Sequence, residues 1–144
     1  MKRTTLENAP GWAIDLLEEC RVGRLGLIDD AGAPRVMPVT YAVHDGSVWT
    51  AVDNKPKRAP DPARVRWLRA RPAAALTVDR YDDDWSRLAW VQVLGEVVVL
   101  DVASAPDAVA ALAARYPQYA DDPPPGPVLQ LHPRRVLCWS ATPR

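Results

Sequence analysis

Pro34-Arg35-Val36-Met37-Pro38-Val39-Thr40-Tyr41-Ala42-Val43-His44-Asp45-Gly46-Ser47-Val48-Trp49-Thr50-Ala51-Val52 is two runs rich in β-branched residues set about one Asp-Gly pair. Branched side chains suit a pleated, half-buried strand, and Asp-Gly tolerates the positive φ of a tight hairpin turn. The stretch therefore reads as a strand over Pro34–Val43, a turn at His44–Ser47 and a strand over Val48–Val52. Upstream, Asp29-Asp30-Ala31-Gly32 is turn chemistry, and Arg21–Ile28 before it reads as another strand. Asn8–Cys20 reads as a helix, with Asn8 as its cap, Pro10 in its first turn, and Trp12, Leu16, Leu17 and Cys20 on one face.

Downstream the pattern breaks over Asp53–Pro62, which carries three prolines and two lysines. Residues Pro62–Arg71 look helical, with Val65 and Leu68 inward and Pro72 as the stop. Ala73–Val78 is a strand. Leu88–Leu100 is a long strand, with Gly95 as the site of an expected bulge. Ser104–Arg115 is a second amphipathic helix, with Ser104 as the expected cap. Val128–Trp139 is the last strand. Six strands joined mostly by short turns, with helices inserted, favour a small antiparallel barrel, closed or partly open. No internal repeat or linker divides the chain, so residues 1–144 are expected to form one domain.

Composition narrows the function classes. The formal net charge is zero, so no global field favours nucleic acid or an acidic membrane. No stretch has the length of a transmembrane span. No apolar core follows Met1–Glu7, so export is not expected and the cytoplasm is the expected location. Cys20 and Cys138 are far apart and read as free, buried thiols, while His44 and His132 show no metal-ligand spacing with them. Arginine outnumbers lysine fifteen to three, which makes it notable that two lysines, Lys55 and Lys57, share one short segment.

Around that segment the residues could carry chemistry. Thr50 ends a strand, and Lys55, Lys57 and Arg58 follow within four positions. A phosphate dianion is held by such clusters, because hydrogen bonds to charged groups contribute about 1.5–3 kcal/mol each. Pro56 stiffens the segment and lowers the entropy lost on binding. A solvated basic turn is the plainer reading of the same residues. Lys55–Arg71 holds seven cations against one acid, Asp61, yet few aromatics accompany them, and Asp79, Asp82, Asp83 and Asp84 follow. Nucleic-acid binding is therefore disfavoured. Asp82-Asp83-Asp84 lacks the spaced oxygen ligands of a calcium loop and reads as a polar turn. Ser86 has no nucleophile-elbow context. Trp85 and Trp90, flanking Arg87, are the tryptophans best suited to a flat ligand.

The sequence resembles the pyridoxamine-phosphate-oxidase-like split-barrel flavoproteins, and within them the actinobacterial branch that uses the deazaflavin coenzyme F420. The likeness runs from about Arg21 to Trp139. It rests on Gly23-Arg24-Leu25-Gly26, Pro34–Tyr41, Thr50-Ala51-Val52-Asp53 with Lys55-Pro56-Lys57, and Asp82–Leu88 before Trp90-Val91. The resemblance implies a six-stranded antiparallel split β-barrel. It implies that Arg35, Val36, Pro38, Val39 and Thr40, with Thr50, Ala51 and Val52, line the ring system. It further implies that Lys55, Lys57 and Arg58 hold the cofactor phosphate and that Trp90 lies against the cofactor. Tyr41, Trp85 and Arg87 are expected to shape an acceptor pocket, with no obligatory catalytic side chain and no metal. FMN is the alternative cofactor. The proline between the lysines departs from the Arg-Lys pair of FMN-binding members and favours the deazaflavin. A six-stranded barrel is filled by its own side chains, so a tricyclic ring must lie outside it. A second copy of the chain would cover that ring, which makes a homodimer the expected assembly. A small organic acceptor would take a hydride. A non-enzymatic binder of haem or another planar ligand is the remaining alternative.

Overall fold

The computed structural model describes residues 6–52 and 62–142. Its strands are β1 (Gly23–Ile28), β2 (Pro34–Val39), β3 (Ala42–His44), β4 (Ser47–Ala51), β5 (Ala73–Arg80), β6 (Ala89–Leu100) and β7 (Val128–Ser140). Its helices are α1 (Gly11–Glu19), α2 (Ala63–Ala70), α3 (Pro106–Arg115) and α4 (Pro117–Asp121). The strands form one antiparallel sheet in the order β2-β1-β5-β6-β7-β4-β3. The two edge strands, β2 and β3, are consecutive in the chain and joined only by Thr40 and Tyr41. The covalent chain thus closes a ring that the hydrogen bonds leave open, and the fold is a split barrel.

There are seven strands rather than the expected six, because the run Pro34–Val43 breaks at Thr40-Tyr41. The break has a local cause. The Tyr41 N–H donates to the Tyr116 hydroxyl at 3.1 Å instead of to a strand. That hydroxyl lies 2.9 Å from both the Tyr41 and Arg21 carbonyls. A buried backbone group needs a partner, and here a side chain supplies it in place of a ladder.

The Asp45-Gly46 hairpin forms as expected, with φ of 50° and 73° at its two central residues. The bulge also falls where expected. The β6–β7 register shifts between Leu94 and Gly95, where a Cβ on Gly95 would stand 1.8 Å from the His132 carbonyl oxygen. Two helix starts differ from expectation. α1 begins at Gly11 after Pro10, while Leu6–Asn8 makes a separate short turn. α3 begins at Pro106, and Ser104 ends a short turn before it. In each case proline's fixed φ marks the boundary more firmly than the polar side chain upstream does.

The inner face of the sheet packs with α1 and α2 around Leu17, Leu25, Leu76, Val91, Val93 and Leu129. A smaller cluster sets Leu112, Tyr116 and Tyr119 of the α3–α4 side against Ala42, Trp49 and Ala51. β4 lies between the two and is buried along its whole length. The void inside the barrel, between Leu25, Tyr41, Thr50, Leu76 and Leu131, amounts to about 10 Å³. That is about the minimum space one water needs. Nothing the size of a tricyclic ring enters it.

Candidate functional site

With the interior filled, the outer face of the sheet is where a flat ligand can lie. Directly paired residues of antiparallel strands point to the same side, so the register defines this face row by row. One row runs Val36, Gly26, Ala75, Leu94 and Arg135 across β2, β1, β5, β6 and β7. The next runs Pro38, Arg24, Thr77, Gln92 and Leu137. The third is Asp79, Trp90 and Trp139. Gly26 and Ala75 leave a low floor between Val36 and Leu94. Gln92 Nε2 donates to Thr77 Oγ1 at 3.1 Å in mid-face. Val36 and Trp139 are 70 % and 46 % exposed, which is a large apolar exposure for side chains on a sheet.

The structure brings Val36, Pro38 and Trp90 of the expected cofactor residues onto this one face. Arg35 points the other way. Its guanidinium stands 3.6 Å from the Asp29 carboxylate and 4.9 Å from the centre of the Trp67 ring on α2. Val39 is buried in the core, and Thr40 shares a 2.9 Å hydrogen bond with the Tyr119 hydroxyl. Thr50, Ala51 and Val52 are buried at the far end of β4, where the Val52 N–H donates to the Pro127 carbonyl. Thr50 borders the small interior void. Lys55, Lys57 and Arg58 lie outside the described residues.

Of the expected acceptor residues, Tyr41 is fully buried. Its hydroxyl lies 2.5 Å from the Leu17 carbonyl and 3.0 Å from that of Cys20, and burial pushes its pKa well up. It serves the core, not a surface pocket. Trp85 and Arg87 stand on a solvent-facing turn. The Asp84 carboxylate accepts from the Ser86 N–H and hydroxyl, which lowers its pKa. Arg87 Nε donates to Asp82 Oδ2 at 2.9 Å. Thr142 ties the turn to the end of the chain by donating to the Ser86 carbonyl. Trp85 is 68 % exposed, and Tyr81, four residues earlier, is 67 % exposed.

Leu137, Trp139, Gln92, Thr77 and Arg24 belong to the same face and were missed in the sequence. A signal existed for part of this set: in Ala89–Leu94 every second residue is Ala or Val and the alternates are Trp90, Gln92 and Leu94. Cys20 and Cys138 are free and half-buried, and burial raises both thiol pKa values. Elsewhere, a cleft of about 170 Å³ between the Asp45 turn and the start of α3 holds none of the expected residues.

The chain belongs to the pyridoxamine 5'-phosphate oxidase family, whose model matches residues 13–140. Comparison with curated proteins finds no match. Among solved structures, the chain is similar to the conserved protein Rv2991 of Mycobacterium tuberculosis, at 18% identity and a TM-score of 0.74. That match covers 97% of this chain and 91% of that one. It is similar to an FAD-binding protein of Mesorhizobium loti, at 21% identity and a TM-score of 0.69, over 96% of this chain and 97% of the other. It is also similar to an F420 reductase, at 20% identity and a TM-score of 0.63, over 90% and 98% of the two chains. At these identities the structural likeness speaks for the fold. No helix among the described residues is long and apolar enough to cross a membrane.

Proposed function

We propose that this chain is an oxidoreductase that binds coenzyme F420 on the outer face of its barrel and passes a hydride between it and a small organic acceptor. The observation that carries this reading is the pairing of a filled barrel with an apolar outer face built around Trp90, Leu94, Leu137 and Val36. The family supports an oxidoreductase of flavin type, and the F420 reductase and FAD-binding protein of like fold fit that class. When bound, the coenzyme supplies the hydride at a ring carbon.

The remaining work falls to the protein's own residues. Val36 and Pro38 give the ring an apolar surface over the low Gly26–Ala75 floor. Trp90 excludes water from its edge, and Thr77 with Gln92 offers hydrogen bonds to polar ring atoms. Lys55, Lys57 and Arg58 hold the phosphate, as the family resemblance implies. Trp85 and Arg87 border the acceptor. No side chain need act as an acid or base.

A homodimer completes the site. Trp90 pairs with Trp139 at one end of the β6–β7 ribbon, while Ala51 pairs with Val128 at the other. At about 3.3 Å per residue the twelve residues of β6 span roughly 36 Å along the ribbon. Two copies facing each other let opposite ends of two ribbons serve one ring and cover the face that a single barrel leaves in water.

Equilibrium titration of the purified protein with coenzyme F420 and with FMN tests the reading. Saturable binding of F420, with FMN much weaker, is the expected result. A yellow protein that retains FMN through purification would move the assignment to FMN, the second reading.

A further inference from the structure

We infer that Thr142 is a positioning residue, which holds the turn carrying Trp85 and Arg87 in one geometry at the border of the acceptor site. The inference rests on the proposed function for the identity of that site, and on hydrogen bonds among the described residues for the turn itself. Residues 81–88 join β5 to β6 at the end of the sheet where Asp79, Trp90 and Trp139 form the third row of the outer face. The turn therefore continues the face on which the ring is proposed to lie.

Its backbone is bonded from one end to the other. The Asp84 carbonyl accepts from the Arg87 N–H at 3.0 Å and the Trp85 carbonyl from the Leu88 N–H at 3.3 Å. The Ser86 carbonyl accepts from the Thr142 hydroxyl at 2.6 Å, the Arg87 carbonyl from Arg80 Nε at 2.8 Å, and the Leu88 carbonyl from the Ala141 N–H at 2.9 Å. Each carbonyl from Asp84 to Leu88 thus has a partner within the protein. A turn in solvent can leave its carbonyls to water at little cost. A full internal set on such a turn fixes a geometry rather than relieving a burial. What the geometry presents is Trp85, large, apolar and exposed. A flat side chain held on a fixed backbone loses less entropy when a flat partner binds.

Thr142 is the long-range side-chain link in this set. Asp82, Asp84 and Arg80 belong to the turn or to the strand leading into it, and Ala141 acts through its backbone. Thr142 reaches across from the segment after β7 and holds Ser86, the residue between Trp85 and Arg87. Its own carbonyl accepts from the Ser140 hydroxyl at 2.8 Å, which ties that segment back to β7.

Full-length wild type, Thr142→Val, Thr142→Ser, Trp85→Ala and the double variant Trp85→Ala with Thr142→Val are compared. The assay is oxidation of reduced coenzyme F420 by the dye dichlorophenolindophenol, with F420 affinity measured separately. Thr142→Val should raise the dye KM roughly two- to tenfold, the worth of one hydrogen bond, with F420 affinity at the wild-type value. Thr142→Ser keeps the hydroxyl and should restore the KM. Trp85→Ala should raise the KM, and Thr142→Val added to it should raise it no further, because the two act through one contact.

A dye KM that ignores Thr142→Val, or effects of the two changes that simply add, would overturn the inference and leave the proposed function standing. So would a lower thermal midpoint in Thr142→Val with its KM unchanged, which marks a residue of the fold alone. A wild type that binds no F420 would remove the proposed function and this inference with it.

Discussion

Lys57→Ala is the residue change that speaks most directly to the cofactor. It should weaken F420 binding by about 1.5–3 kcal/mol, and raised salt should weaken it further in wild type. The thermal midpoint should stay within a degree or two if Lys57 acts on the cofactor and not on folding. Unchanged affinity would leave Lys55, Lys57 and Arg58 a solvated turn. Asp29 makes a second test, of stability. Its Oδ1 accepts from the Ala31 and Ala33 N–H groups and its Oδ2 faces Arg35. The hydrogen bond from Ala33, with that from Ala31 and the Arg35 charge nearby, holds its pKa below the ordinary value. A depressed folded-state pKa stabilises the fold above the unfolded-state value of about 3.9 and is lost as pH falls through the folded value. The stability gap between wild type and Asp29→Asn should therefore be full at pH 6 and close as pH drops below about 4. A gap that persists unchanged at pH 2.5 would contradict this. Tyr41→Phe separates core from pocket. Arg115 Nη2 also donates to the Leu17 and Cys20 carbonyls, so neither is orphaned by the change. The loss should be about 0.5–1.5 kcal/mol of stability, read by urea unfolding, with the acceptor KM unaltered.

The elements legible in the sequence were those with a local cause. The Asp45-Gly46 hairpin, the Gly95 bulge and the long β6 each follow from residues within a few positions of themselves. The break at Thr40-Tyr41 was not legible, because Tyr116, seventy-five positions away, satisfies that backbone. Arg35 misled for a similar reason: strand alternation gave no sign that Trp67 and Asp29 would claim it. Trp90 was read from the sequence, but its partners Trp139 and Leu137 needed the β6–β7 register. Gly95→Ala tests the bulge at this scale. The added Cβ meets backbone at 1.8 Å, which no side-chain movement relieves. A loss of at least about 1–3 kcal/mol is expected in denaturant unfolding. A neutral substitution would mean the β6–β7 register tolerates sliding.

At the scale of the whole molecule, the filled barrel and the exposed apolar face have one joint consequence. On the proposed function the ring needs a surface, and a second copy of the chain is the proposed cover. A stable interface of ordinary size takes about 800 Å² from each partner, and the proposed dimer would use the three rows around Gln92. A charge at Leu137, as in Leu137→Glu, should dissociate the proposed dimer and lower F420 affinity together. Sedimentation equilibrium of wild type with bound coenzyme F420, followed at both the protein and the deazaflavin absorbance, tests the central claim most directly. Both signals should travel together at twice the mass of one chain. A monomer that carries the coenzyme, or a dimer from which the deazaflavin signal is absent, would contradict it.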